Sequence, residues 1–187
     1  ATPMSIMVAA GRGAAMGVLF KNAEAIETMR KIDTLVVDKT GTLTLGKPKL
    51  TGIIAIDLEE RSLLKLAASL ERGSEHPLAA AIVEGTLERS IKLTEAKEFS
   101  SHTGKGVSGQ VEGRPVLLGN AQLLHDFGVN ADVLSSQAET MRAEGQTVMF
   151  VAVDGRLAGL LALSDPIKES APEAIRQLHN EKIRIVM

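Results

Sequence analysis

Asp38 stands directly after the apolar run LVV and opens DKTGTLT, a stretch crowded with Thr and Gly. Past the carboxyl end of a parallel strand, where open α/β sheets place their reactive groups, such a carboxylate can attack phosphorus and carry an aspartyl-phosphate. Lys39, Thr40, Gly41 and Thr42 behind it offer backbone N–H groups and hydroxyls to a phosphate. For a bare D-x-T-G a simple turn is the better reading, and a metal ligand stays open. The full DKTGTLT is far more specific. A second cluster is HTGKGVSG, residues 102–109, with a literal G-x-G-x-x-G across Gly104, Gly106 and Gly109. A dinucleotide loop of that form follows a strand and opens a helix. VSGQVEGRPVLLG instead alternates as strands, so that reading fails; strand bends are one use open to these glycines, Gly109 among them. His76 before Pro77 reads as a helix cap or surface residue, Glu71 as a solvated helix end, and Asn120 as the N-cap of AQLLHDF. His102, His125 and His179 show no ligand spacing with one another.

The elements that must position these groups follow from the pattern. KNAEAIETMRK suggests a short helix capped by Asn22. IDTLVV is a continuous apolar strand of the kind buried in a parallel sheet. LTGIIAI is another strand. Asp57 and Glu60 suggest a capping box for a helix with Leu63, Leu66, Ala67 and Leu70 on one face, closed by Gly73. Pro77 opens the next helix. Strands run from Phe99 to Asn120 around VEGR, and from Thr147 to Ser164 around VDGR, the stronger hairpin signal. Helices near AQLLHDFG and SSQAETMRAEG lie between them. Ser170 and Glu173 suggest a capping box for APEAIRQLHN, and IRIVM is a final strand. A parallel pair needs a crossover, so the first and last strands could be neighbours in one sheet with an α+β block inserted between them.

Composition narrows the function classes. A net charge of −2 leaves no basic excess to neutralise nucleic-acid phosphates. Aromatics are 2%, all Phe, too few for a base-stacking platform. Cysteine is absent, which excludes disulfides and thiolate metal sites within these residues. The opening ATPMSIMVAAGRGAAMGVLF is broken by Arg12 and lacks the layout of a signal peptide. Both ends read as interrupted, and the chain is expected to be part of something larger.

Five motifs in order carry a family resemblance. DKTGTLT resembles the phosphorylation signature of P-type ATPases. SEHPLAAAI (74–82), HTGKGVSG with LLGN (117–120), ATPMSIMV and DPIK resemble elements of their heavy-metal, copper-type subgroup. The resemblance covers essentially the whole chain. It implies an α/β fold, a haloacid-dehalogenase-like phosphorylation domain with a Rossmann-type parallel sheet, incomplete here. It also implies an inserted α+β nucleotide-binding domain built on an antiparallel sheet. The implied boundaries are 1–22 for the cytosolic end of a membrane helix and linker, 23–46 for the first part of the phosphorylation domain, 47–164 for the nucleotide-binding domain and 165–187 for the return segment.

The resemblance implies that Asp38 accepts the γ-phosphoryl of ATP, with Mg²⁺ held by Asp38 and the backbone carbonyl of Thr40. Related phosphatases typically carry a second Asp at the position of Thr40 as general acid and base. Without it the phosphoenzyme should persist. The implied ATP-binding residues are Glu71, His76, Gly104, Gly106, Val107, Gly119 and Asn120. Lys105 could meet a phosphate or be an ordinary exposed lysine. The implied parent is a copper (Cu⁺) exporter in a bacterial inner membrane, with silver the nearest alternative. This segment would be a cytoplasmic domain that binds ATP but not the transported metal, with the rest of the same pump as its partner. The metal-binding cysteines would precede Ala1, and the remaining Mg²⁺-binding acids would follow Met187. A nucleotide-binding module without catalysis and a small aspartate-dependent phosphatase with a cap domain are the competing readings.

Overall fold

The computed structural model describes residues 3–187. Ala1 and Thr2, which open the ATPMSIMV stretch and the 1–22 segment, lie outside the described residues. The elements in order are α1 (Pro3–Ala15), α2 (Ala23–Met29), β1 (Thr34–Val36), β2 (Lys49–Ala55), α3 (Glu60–Glu71), α4 (Pro77–Glu88), β3 (Ala96–His102), β4 (Gly106–Val111) and β5 (Arg114–Gly119). Then come α5 (Ala121–Asp126), α6 (Ser135–Ala143), β6 (Thr147–Val153), β7 (Arg156–Ser164), α7 (Ala171–Asn180) and β8 (Arg184–Val186). They form two compact units, Ala1–Leu43 with Lys168–Met187, and Thr44–Ile167. Among the described residues no helix is long and apolar enough to cross a membrane.

In the first unit β1 and β8 pair in parallel, Thr34 with Arg184 and Val36 with Val186. Strands far apart in sequence are thus neighbours, as the order of elements allowed. The Asn22 side chain accepts from Ala25 N at 2.8 Å and caps α2. Two expectations fail in this unit. The apolar β1 is not buried, with Val36 75% exposed, because among the described residues its sheet has only two strands. Ser170 makes no side-chain cap and is itself helical, while Glu173 bonds Arg176 and Gln177, so the capping box does not form.

The second unit is a six-stranded antiparallel sheet in the order β2-β7-β6-β5-β4-β3. Alternation divides its side chains between two cores. Val116 and Leu118 of β5 join α3 and α4 on one face, and Leu117 joins α5 and α6 on the other. Both two-residue hairpins have left-handed pairs that match the strand twist, Glu112–Gly113 (φ 54° and 77°) and Asp154–Gly155 (φ 52° and 73°). Pro77 takes the first turn of α4. The capping box expected at Asp57 and Glu60 is absent. Asp57 is left-handed at φ 56°, and α3 starts after Glu59 without a side-chain cap. Asp165 ties the neck of this unit, accepting from Thr44 Oγ1 at 2.5 Å, Gly46 N at 3.1 Å and Lys47 N at 3.0 Å.

Candidate functional site

β1 delivers Asp38 just past its carboxyl end, exposed, with one carboxylate oxygen accepting from Lys39 N at 2.8 Å. The backbone then turns sharply. Thr40 (φ −74°, ψ 124°) and Gly41 (φ 74°, ψ −15°) have the dihedrals of a type II turn, whose second central residue needs positive φ. Glycine is therefore required at 41 for its conformation, since a Cβ there would meet nothing within 4 Å. Lys168 closes the loop from the other end of the unit. Its Nζ donates to Gly41 O at 2.6 Å and its N–H to Leu43 O at 2.9 Å. An exposed carboxylate can take a hard divalent cation that draws its remaining oxygens from water and phosphate. Among the described residues, no three acidic or His side chains gather to hold a metal by themselves.

Glu71 and His76 flank the loop between α3 and α4. Glu71 is not the solvated helix end its sequence position suggests. It is 3% exposed, and its Oε2 has no hydrogen-bond partner. Burial raises its pKa above the ordinary 4.5, partly offset by a hydrogen bond with Ser74. The folded chain therefore binds this proton more tightly than the unfolded one. The resulting stability is complete below the unfolded value and is lost as pH rises through the folded value. We expect Glu71→Gln to remove that loss. Relative to wild type, the variant's thermal midpoint should rise as the pH is raised from below the ordinary carboxylate value toward about pH 8. A constant offset across that range would show that Glu71 is not the group responsible. His76 caps α4, its Nδ1 accepting from Leu78 N at 3.2 Å, so its proton in the neutral ring sits on Nε2.

The other sequence-predicted residues gather at the turn between β3 and β4. Gly106 pairs with Gly119 across β4 and β5, and the two backbones touch. A Cβ on Gly106 would lie 2.2 Å from Leu118 O, and one on Gly119 would lie 2.2 Å from Lys105 O. Asn120 locks the turn to α5. Its Oδ1 accepts from Leu123 N at 3.0 Å, its Nδ2 donates to Gly104 O at 3.0 Å, and its own N–H donates to Lys105 O at 2.8 Å. Val107 points into the core under α3 and is only 6% exposed. Gly109 lets Leu70 of α3 sit on the strand, since a Cβ there would be 2.8 Å from Leu70 Cδ1. The last turn of α3, which carries Glu71, therefore lies over β4, close in sequence to the glycine turn. His102 bonds Ser108 Oγ through Nε2 at 2.8 Å and meets the Phe127 ring edge-on at 5.4 Å, a structural use of that histidine.

Sequence reasoning placed Asp38, His76 and Asn120 on the right kinds of elements. It missed the reach of Lys168 to Gly41 and the pairing of Lys105 with Asp126. Neither has a local signal, because the partners are 127 and 21 residues apart.

The haloacid dehalogenase-like hydrolase family matches residues 32–187. A copper-transporting P-type ATPase of Rhizobium leguminosarum bv. viciae is 56% identical over all of this chain and 22% of its own length. A silver-exporting P-type ATPase of Salmonella typhimurium is 50% identical over all of this chain and 23% of its own length. The chain thus spans less than a quarter of these relatives. The crystal structure of a zinc-transporting PIB-type ATPase in the E2.Pi state matches 97% of this chain and 29% of its own, at 32% identity and a TM-score of 0.84. With an aspartate just past the end of a parallel strand and a family match over residues 32–187, this chain belongs to the haloacid dehalogenase-like hydrolases.

Proposed function

We propose that this chain is the ATP-binding and phosphorylation region of a P-type ATPase that exports Cu⁺, coupling transport to an aspartyl-phosphate at Asp38. The observation that carries the reading is Asp38 at the carboxyl end of β1 with Thr40, not a second acid, two residues on. A carboxylate there is a nucleophile toward the γ-phosphoryl of ATP. Positioning and charge neutralisation would supply most of the catalysis. Mg²⁺ would be held by the Asp38 carboxylate and the Thr40 carbonyl, and would neutralise phosphoryl charge when bound. Thr40 cannot act as a proton shuttle at neutral pH, so the acyl-phosphate would outlive that of a phosphatase. A long-lived intermediate serves coupling, and this argues against the phosphatase reading.

Glu71, His76, Gly104, Gly106, Val107, Gly119 and Asn120 are assigned to ATP on this reading. The orphaned Glu71 Oε2 supports it, since a buried acceptor without a donor fits the exocyclic amine of adenine. The four ranges drawn from the sequence, 1–22, 23–46, 47–164 and 165–187, are kept as domain assignments. Copper is favoured over silver because the more similar of the two relatives bears that name. The chain has no cysteine, so a soft cation would be bound outside this segment, in the membrane part of the same protein. That parent would sit in a bacterial inner membrane with these residues on its cytoplasmic side.

The test is incubation of the chain with γ-labelled ATP and Mg²⁺. Acid-stable, hydroxylamine-sensitive label at Asp38 supports phosphoryl transfer. NMR shifts around His76 without label support a binding module alone, a reading favoured by the separate cores of the Thr44–Ile167 unit. We expect His76→Gln to weaken ATP binding about tenfold while leaving the fold intact. Unchanged affinity would remove His76 from the site.

A further inference from the structure

We infer that Lys105 is a phosphate-binding residue of the nucleotide site and that Asp126 is a built-in competitor which holds its amine when no nucleotide is present. The inference rests on the nucleotide-binding reading of the same turn. Its basis is how little of that turn can move. Gly104 and Gly106 take positive φ on either side of Lys105, at 71° and 145°. The carbonyls of Gly104 and Lys105 are both bonded to Asn120, and the Lys105 N–H donates to His102 O at 2.9 Å. With its backbone fixed at both ends, the turn's adjustable part is the Lys105 side chain, a point charge on a flexible stem.

That charge has a prepared resting place. Lys105 Nζ donates to Asp126 Oδ2 at 2.6 Å, and Gln122 Nε2 donates to Asp126 Oδ1 at 2.9 Å. Both carboxylate oxygens are therefore engaged and the acid is oriented toward the lysine. Lys105 and then Gln122 hold the Asp126 carboxyl below the usual carboxylate range, with a smaller contribution from His125. The pair is also open to water, the side chains being 42% and 35% exposed. Exposed pairs of this kind are weak and salt-screened, so a more highly charged anion can displace the carboxylate. A triphosphate outcompetes one carboxylate, whereas adenosine has nothing to offer the amine. The arrangement would grade affinity by phosphate number and leave base recognition to Glu71 and His76.

The experiment is calorimetric titration of the full chain with ATP, ADP, AMP and adenosine, for wild type, Asp126→Asn, Lys105→Ala and the double variant. We expect Asp126→Asn to tighten ATP about three- to fivefold and leave adenosine unchanged. Lys105→Ala should weaken ATP by a similar factor, again with adenosine unchanged. In the Lys105→Ala background the Asp126→Asn change should bring no gain. Equal effects on ATP and adenosine, or a gain that persists without Lys105, would overturn the inference while leaving the nucleotide site standing. A wild-type chain that binds neither ATP nor adenosine would overturn both.

Discussion

Gly106→Ala is expected to unfold the Thr44–Ile167 unit or leave it barely stable, while Gly104→Ala, two residues away, is tolerated. A Cβ at Gly106 would lie 2.2 Å from Leu118 O, 2.5 Å from Gly119 Cα and 2.9 Å from Leu123 Cδ2. Two of those three atoms are backbone of the neighbouring strand. The clash can be relieved only by parting β4 from β5, and φ at 145° adds strain for any L side chain. The cost should reach ~3 kcal/mol or more. At Gly104 a Cβ meets nothing within 4 Å, so only the left-handed φ of 71° counts against alanine, at about 1 kcal/mol. Urea melts followed by circular dichroism separate the two. A Gly106→Ala midpoint close to that of Gly104→Ala would mean that the strands can yield there. Because Gly104→Ala keeps the fold, its ATP affinity also reports how closely the turn backbone approaches the nucleotide.

Local chemistry was legible and tertiary override was not. Asn22, Asn120, Pro77, Glu112–Gly113 and Asp154–Gly155 all act as their residue types suggest, because each device is complete within four residues. Asp57 and Ser170 carried similar local signals and failed. Asp57 is left-handed and lies two residues before the N-cap Glu59, and Ser170 is already helical, so neither side chain caps its helix. The sheet order β2-β7-β6-β5-β4-β3 was not legible, since strand alternation says which face is buried but not which strand is next. Glu71 shows the same limit at the site. The stripe Leu63, Leu66, Ala67 and Leu70 marks the face of α3 that meets the sheet. A second buried row, Leu64, Ala68 and Glu71, appears once α4 packs on that helix. One apolar stripe plus a terminal acid reads as a solvated end. Only the fold reveals that the acid is inside and that its Oε2 lacks a donor.

Asp38→Asn should abolish phosphoenzyme formation wherever the wild-type protein forms one, in the chain alone or in a longer protein that contains it. The amide keeps the size of the carboxylate and can still accept from Lys39 N. It loses the anionic oxygen that would form the bond to phosphorus and the charge that would hold Mg²⁺. The loop residues beside it cannot replace it. Thr40 and Thr42 carry only hydroxyls, and Lys168 spends its Nζ on Gly41 O. The loss should therefore be about a thousandfold or greater. ATP affinity should stay within about twofold, because the residues assigned to ATP belong to Thr44–Ile167 and Asp38 does not. Two measurements on one preparation decide it, hydroxylamine-sensitive label from γ-labelled ATP and the ATP dissociation constant. Label surviving in Asp38→Asn would place the nucleophile elsewhere. Lost label with a large loss of affinity would mean that Asp38 takes part in binding the nucleotide as well as in the chemistry. Only lost label with retained affinity fits a chain in which one unit carries the nucleotide and the other carries the group it phosphorylates.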